Sequence, residues 1–312
     1  MASLGPMATV VHIGFHKTGT TTIQRQVFPQ LEGCAVLRGG QSSEQKRFHR
    51  LVRELTTADD STYSGDELRA MIDAARGDAE VLIVTHEDLS GSPEDGRTSA
   101  RLFDLVPDAR ILIAVREQGS ALAGRYGQYV KKGGSMRFAA YLAKLPHTWM
   151  RYDLVVEDYQ ARFGADRVKV MAFEQLVRDQ AGYLDELQVF VRGRDTPTQQ
   201  FGELPRVNQT LAPPTRHVVR VANRWFVTSE ENPRPPLGRV RLGARAVQKL
   251  MKLDPVVFPK MKRRLGRRDR DLIERVVRER CGEGNVRLAE LSGLALDEYG
   301  YVLGPAGARA AV

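Results

Sequence analysis

Apolar residues recur along this chain in two rhythms that alternate through its first two hundred positions. Short continuous runs rich in β-branched residues read as buried strands: Val10-Val11-His12-Ile13, residues 80–85, residues 110–115 and residues 167–173, with a shorter run at Cys34-Ala35-Val36-Leu37. Between them apolar residues return every three or four positions, the signature of helices with one face inward. Ile23, Val27 and Leu31 mark the first such helix, and Phe48, Leu51, Val52 and Leu55 line one face of residues 42–56. Residues 65–75, 120–131, 152–163 and 174–191 continue the pattern, and Gly133-Gly134 and Gly164 stop two of these helices.

Strands alternating with helices imply βαβ units and a parallel sheet, because a strand can join a parallel neighbour only through a crossover. The expectation is a three-layer α/β/α fold whose central sheet has four or five strands. After residue 210 the strand signal ends. Residues 194–215 read as a loop rich in Thr, Gln and Pro, and helical patterns follow at 218–226, 240–250 and 272–277 between prolines. The domain reading is therefore an α/β core over 1–210 and a basic helical region over 211–312, with 304–312 as a frayed tail.

The chain of 312 residues is long enough for one large α/β domain with an appendage, and 42% hydrophobic with 27% charged residues suits a globular chain. No apolar run approaches the ~20 residues of a spanning helix. The first residues lack the basic and apolar segments of a secretory signal. Cys34 and Cys281 are the only cysteines and show no metal-ligand spacing, so both are expected as reduced thiols in the cytoplasm. The charge of +9 is concentrated: residues 216–270 hold sixteen Lys/Arg against Glu230, Glu231, Asp254 and Asp269, a balance of +12 that leaves the rest at −3. Such density favours an anionic partner, either an acidic glycan or the inner face of an anionic membrane, with Trp225 and Phe226 as the apolar element. No readable nucleic-acid module accompanies it, so nucleic acid is not expected.

The stretch that organises the chemistry joins the first strand to the first helix. Gly14-Phe15-His16-Lys17-Thr18-Gly19-Thr20-Thr21-Thr22 holds two glycines, one lysine and a row of threonines at a helix start, where unpaired amides and the helix dipole favour an anion. Gly14 and Gly19 have the spacing of a P-loop, but Thr20 and Thr21 stand where Lys and Ser/Thr should follow, and the lysine lies inside the loop at Lys17. Two other groups lie at strand ends, where ligands of open α/β sheets collect. His86 and Glu87 follow the strand at 80–85, each a candidate base, and Arg116 follows the strand at 110–115, where a bidentate fork suits a phosphate.

The segment His16-Lys17-Thr18-Gly19-Thr20-Thr21 resembles the 5′-phosphosulfate-binding loop of the sulfotransferases, which use 3′-phosphoadenosine-5′-phosphosulfate (PAPS) as donor. The resemblance extends over about the first 210 residues. It implies that His16, Lys17, Thr18, Gly19, Thr20, Thr21 and Thr22 bind the donor's 5′ end, with Lys17 on the bridging oxygen as the sulfuryl group leaves and no metal required. Thr85-His86-Glu87-Asp88-Leu89 is similar to the stretch carrying a catalytic glutamate in glycan- and tyrosine-modifying members, whereas small-molecule members use histidine; Glu87 is favoured over His86. Arg116-Glu117-Gln118 resembles the 3′-phosphate segment, although the family's serine eight residues on is Gly124 here. Arg206 and Asn208 resemble a late donor-closing segment. The resemblance implies a hydroxyl-bearing acceptor, a carbohydrate or lipid-linked glycan. Two other readings stay open: a P-loop phosphoryl transferase using ATP and magnesium, and a non-enzymatic polyanion-binding module. The sequence does not specify an oligomeric state.

Overall fold

The computed structural model describes residues 8–15, 17–92, 94–205, 211–229, 233–237, 241–258, 261 and 265–304. Along the chain, β1 (Ala8–Gly14) leads through the Lys17 loop into α1 (Thr20–Thr22), which continues as a π-helical turn (Ile23–Val27) and a 3-10 turn (Phe28–Gln30). Next come β2 (Cys34–Arg38), α2 (Ser43–Thr57), α3 (Asp66–Arg76), β3 (Val81–His86), α4 (Arg97–Leu105) and β4 (Arg110–Val115). They are followed by α5 (Gln118–Lys131), α6 (Phe138–Ala143), α7 (Tyr152–Phe163), β5 (Val168–Ala172), α8 (Phe173–Arg178) and α9 (Gln180–Arg192). The chain then forms α10 (Pro213–Phe226), α11 (Arg241–Val257) and α12 (Arg267–Ser292).

The five strands form one parallel sheet in the order β2-β3-β1-β4-β5, the α/β architecture the alternation implied. Burial on both faces explains the continuous apolar runs: all six residues of β3 are buried. Val10, Ile83, Leu112 and Met171 form a core with Ile23, Val27 and Phe28 after the loop and with Leu184, Leu187 and Val191 of α9. Their strand neighbours Val11, Val84, Ile111 and Ile113 are buried as well, so a second helical layer covers the other face. There α7 packs against β4 and β5. The first helix is shorter than its spacing suggested, because Pro29 lacks an amide for a further α-turn and the last turn tightens to 3-10. The periodicity missed α4 and α6, which are only nine and six residues long.

The chain divides into two compact units, and the division differs from a boundary at residue 210. The first comprises Met1–Glu117, Met150–Val207 and Arg280–Val312; the second comprises Gln118–Trp149 and Asn208–Glu279. Side-chain bonds account for the difference. Within the second unit, buried Asn223 of α10 donates through Nδ2 to the carbonyls of Val130 and Gly134, tying α10 to the end of α5. Within the first, Gln160 donates to the carbonyl of Leu291 and Asn285 to that of Val302, so the later half of α12 belongs with the sheet.

In the second unit α10 and α11 form an antiparallel pair. Asp254, near the end of α11, accepts the amide of Ala212 through both oxygens at 3.1 and 3.3 Å, while Gly243 near its start faces Phe226 at the end of α10. Of the two aromatics expected on the surface, Trp225 is exposed and Phe226 turns inward against Gly243. The tail from residue 305 lies outside the described residues.

Candidate active site

The candidate site lies in the first unit, at the carboxyl ends of β1, β3, β4 and β5. Gly14 ends β1 where the chain doubles back so closely that a Cβ would overlap Thr20 Cγ2, which fixes glycine there. Gly19 has φ +78, and a Cβ on it would come within 2.8 Å of the Phe173 ring. Between them Lys17 also adopts a left-handed backbone, φ 75, costly for a lysine and characteristic of functional loops. Three bonds hold this turn. Thr18 donates through both its amide (3.3 Å) and Oγ1 (2.7 Å) to the Phe15 carbonyl, and Arg116 donates through Nη1 to the Lys17 carbonyl at 2.8 Å.

Arg116 thus reaches the loop from the end of β4. Its guanidinium lies 4.5 Å from the centre of the Phe173 ring, and burial lowers its pKa from the usual arginine value, opposed by the nearby carboxylate of Glu174. Glu174 accepts the amide of Glu117 at 3.1 Å, and burial raises its pKa. Arg116 Nε, Glu174 Oε2 and Tyr301 Oη are all buried and find no hydrogen-bond partner among the described residues.

Glu87 and His86 leave the end of β3 in different directions, as adjacent strand residues do. Glu87 turns to the head of α1, where Thr20 donates its hydroxyl to Oε1 at 2.9 Å. His86 turns to α2: its Nε2 lies 2.7 Å from His49 Nδ1, and its Nδ1 accepts the Asp88 amide at 3.1 Å. Because Nδ1 is an acceptor, Nε2 carries the proton and donates to His49. Among the described residues, His49, His86 and Asp88 are the one group whose potential metal-ligand atoms lie within 4.8 Å of one another.

Beneath the loop lies a network that sequence reading missed. Thr85 Oγ1 sits 2.8 Å from His12 Nδ1 and 2.9 Å from Gln24 Nε2. His12 is fully buried, and burial lowers its pKa to about 3 against the opposing influence of Glu87, so the ring stays neutral. The signal was a histidine within an apolar strand, but no spacing linked it to Thr85, seventy-three positions away.

Lys17, Thr18, Gly19, Thr20, Thr21, Thr22, Glu87 and Arg116 are therefore gathered around one loop, while His86 faces away from Thr20 toward His49. His16, Arg206 and Asn208 fall outside the described residues. In the second unit Arg125, next to Gly124, lies over the Trp149 ring at 4.6 Å. The groups around the loop are cationic lysine and arginine, hydroxyls and first-turn amides, with the Glu87 carboxylate at the helix head and that of Glu174 beside Arg116: a set suited to an anionic group presented to a base.

No family model and no curated protein matches the chain. Solved structures that resemble it include three sulfotransferases. A sulfotransferase from Alicyclobacillus acidocaldarius has a TM-score of 0.48 at 21% identity, over 70% of this chain and 94% of that one. Mouse sulfotransferase SULT7A1 complexed with PAP has a TM-score of 0.39 at 14% identity, over 81% of this chain and 86% of that one. Sulfotransferase STF9 from Mycobacterium avium has a TM-score of 0.37 at 12% identity, over 83% and 78%. At these values the likeness is to a chain path.

Proposed function

We propose that the protein is a PAPS-dependent sulfotransferase, transferring a sulfuryl group from PAPS to a hydroxyl or amine of an acceptor. The observation that carries this reading is the bond from Thr20 to Glu87, which puts a carboxylate at the head of the helix that follows the lysine loop. An anion site and a base are then adjacent, as direct transfer to a hydroxyl requires.

In this mechanism the acceptor oxygen attacks sulfur as the bond from sulfur to the bridging oxygen breaks. The acceptor proton passes to Glu87, and 3′-phosphoadenosine-5′-phosphate leaves with the bond's electrons. Lys17, with the amides at the helix start, stabilises the charge that develops on the bridging oxygen, an interaction stronger in the transition state than in the ground state. Arg116 has donors beyond the one on the Lys17 carbonyl and is assigned to the 3′-phosphate. Arg206 and Asn208 are assigned to donor closure. No step requires a metal.

The resemblance in the loop and in the Glu87 stretch favours a carbohydrate or lipid-linked glycan as acceptor. Two free thiols, Cys34 and Cys281, fit a reducing cytoplasmic setting. A kinase reading lacks its lysine, since Thr20 follows Gly19 directly. The experiment is thermal melting with 3′-phosphoadenosine-5′-phosphate against ATP with magnesium. A ligand that binds the folded state raises the melting point. Stabilisation by the bisphosphate alone is expected; stabilisation by ATP with magnesium alone overturns the assignment.

A further inference from the structure

We infer that the outward face of α11 is a docking surface for a bilayer of anionic phospholipid, independently of the reaction catalysed. Helical geometry puts Arg245, Lys249, Lys252, Leu253, Val256 and Val257 on one side of α11, and all six are exposed. Leu253, Val256 and Val257 expose 53, 74 and 58% of their surface, more than isolated surface aliphatics need to. They cluster in the last turn, while the three cations occupy the turns before it.

The opposite side is spoken for. Val247 and Asp254 face inward, and Asp254 caps the start of α10. Asp254 is also the one acidic residue between Glu231 and Asp269, so turning it inward leaves the outward face with positive charge alone. An apolar tip backed by cations matches the layering of a membrane surface, where aliphatic groups enter the acyl boundary and ammonium groups stay among the phosphates. A second copy of the chain would meet the same positive charge and be repelled. No helix among the described residues is long and apolar enough to cross a membrane, so the contact is peripheral.

The test is co-sedimentation of the full chain with vesicles of phosphatidylcholine alone and of phosphatidylcholine containing one third phosphatidylglycerol. Binding to the anionic vesicles only is expected. It should fall at least about tenfold both in Val256→Ser/Val257→Ser and in Lys249→Glu/Lys252→Glu, and weaken in high salt. These side chains are exposed, so the variants should melt with the wild type, and circular dichroism checks this. Equal binding to both vesicle types, no binding to either, or undiminished binding by the valine variant overturns the proposal. So does a wild-type dimer that the valine variant converts to monomer while vesicle binding is unchanged.

Discussion

Arg116 and Lys17, ninety-nine positions apart, meet through a hydrogen bond of 2.8 Å from the guanidinium to the lysine carbonyl. The bond reaches the one described residue of the loop whose backbone is left-handed without being glycine. A carbonyl held there keeps the lysine in a conformation it would otherwise leave.

Arg116→Ala should therefore do two things. Releasing the carbonyl should lower thermal stability by about 1–3 kcal/mol, the range for losing a charged hydrogen bond. If Arg116 also contacts the 3′-phosphate, the variant should lose the preference for 3′-phosphoadenosine-5′-phosphate over 5′-AMP, read as the difference between the melting shifts of the two ligands. A preference kept intact would confine Arg116 to holding the loop.

Lys17→Ala should cut turnover by about 10²–10³-fold and lower affinity for the donor far less, since the role proposed for the lysine is on charge that appears only as the bond breaks. Measuring turnover and donor affinity side by side decides it. Matching losses in both would remove the lysine from the chemical step and leave it as a binding group.

Glu87→Gln keeps an acceptor for the Thr20 hydroxyl but cannot take a proton. Turnover should collapse and the acidic limb of the pH–rate profile should disappear, with little change in melting. His86→Asn should behave in the opposite way, losing about 1 kcal/mol of stability with the His49 bond while turnover survives. An inactive His86→Asn beside an active Glu87→Gln would transfer the base to the histidine.

Burial of His12 sets a pH dependence. Its pKa of about 3 in the folded protein lies below the ordinary histidine value of 6.5, so the unfolded chain binds the proton more readily. The stabilisation is fully present above about pH 6.5 and declines as pH falls toward 3, by up to about 1.4 kcal/mol per pH unit. Denaturant melts from pH 7.5 to 4.5 should show that slope, and His12→Gln should flatten it. An unchanged slope in the variant would assign the acid sensitivity to the carboxylates.

What the sequence made legible was whatever depends on local rhythm. The buried strands announced themselves because both faces are covered, and Gly14 and Gly19 bracketed the loop because their tight approaches admit no side chain. Long-range pairings left no local trace. Nothing beside His86 signals that His49 of α2 will meet it, and nothing in Val10-Val11-His12 signals Thr85. The unit boundaries were hidden for the same reason, since Asn223 reads as an ordinary helix residue until its two carbonyl partners across α5 are known.

The chain leaves the sheet-bearing unit at Glu117, re-enters at Met150, leaves again after Val207 and comes back at Arg280. No single cut of the polypeptide therefore frees either unit intact, and on the ribosome neither can be finished until the stretch up to residue 279 has been made. A chain stalled or clipped before residue 280 forfeits not an appendage but a segment of the sheet-bearing unit itself.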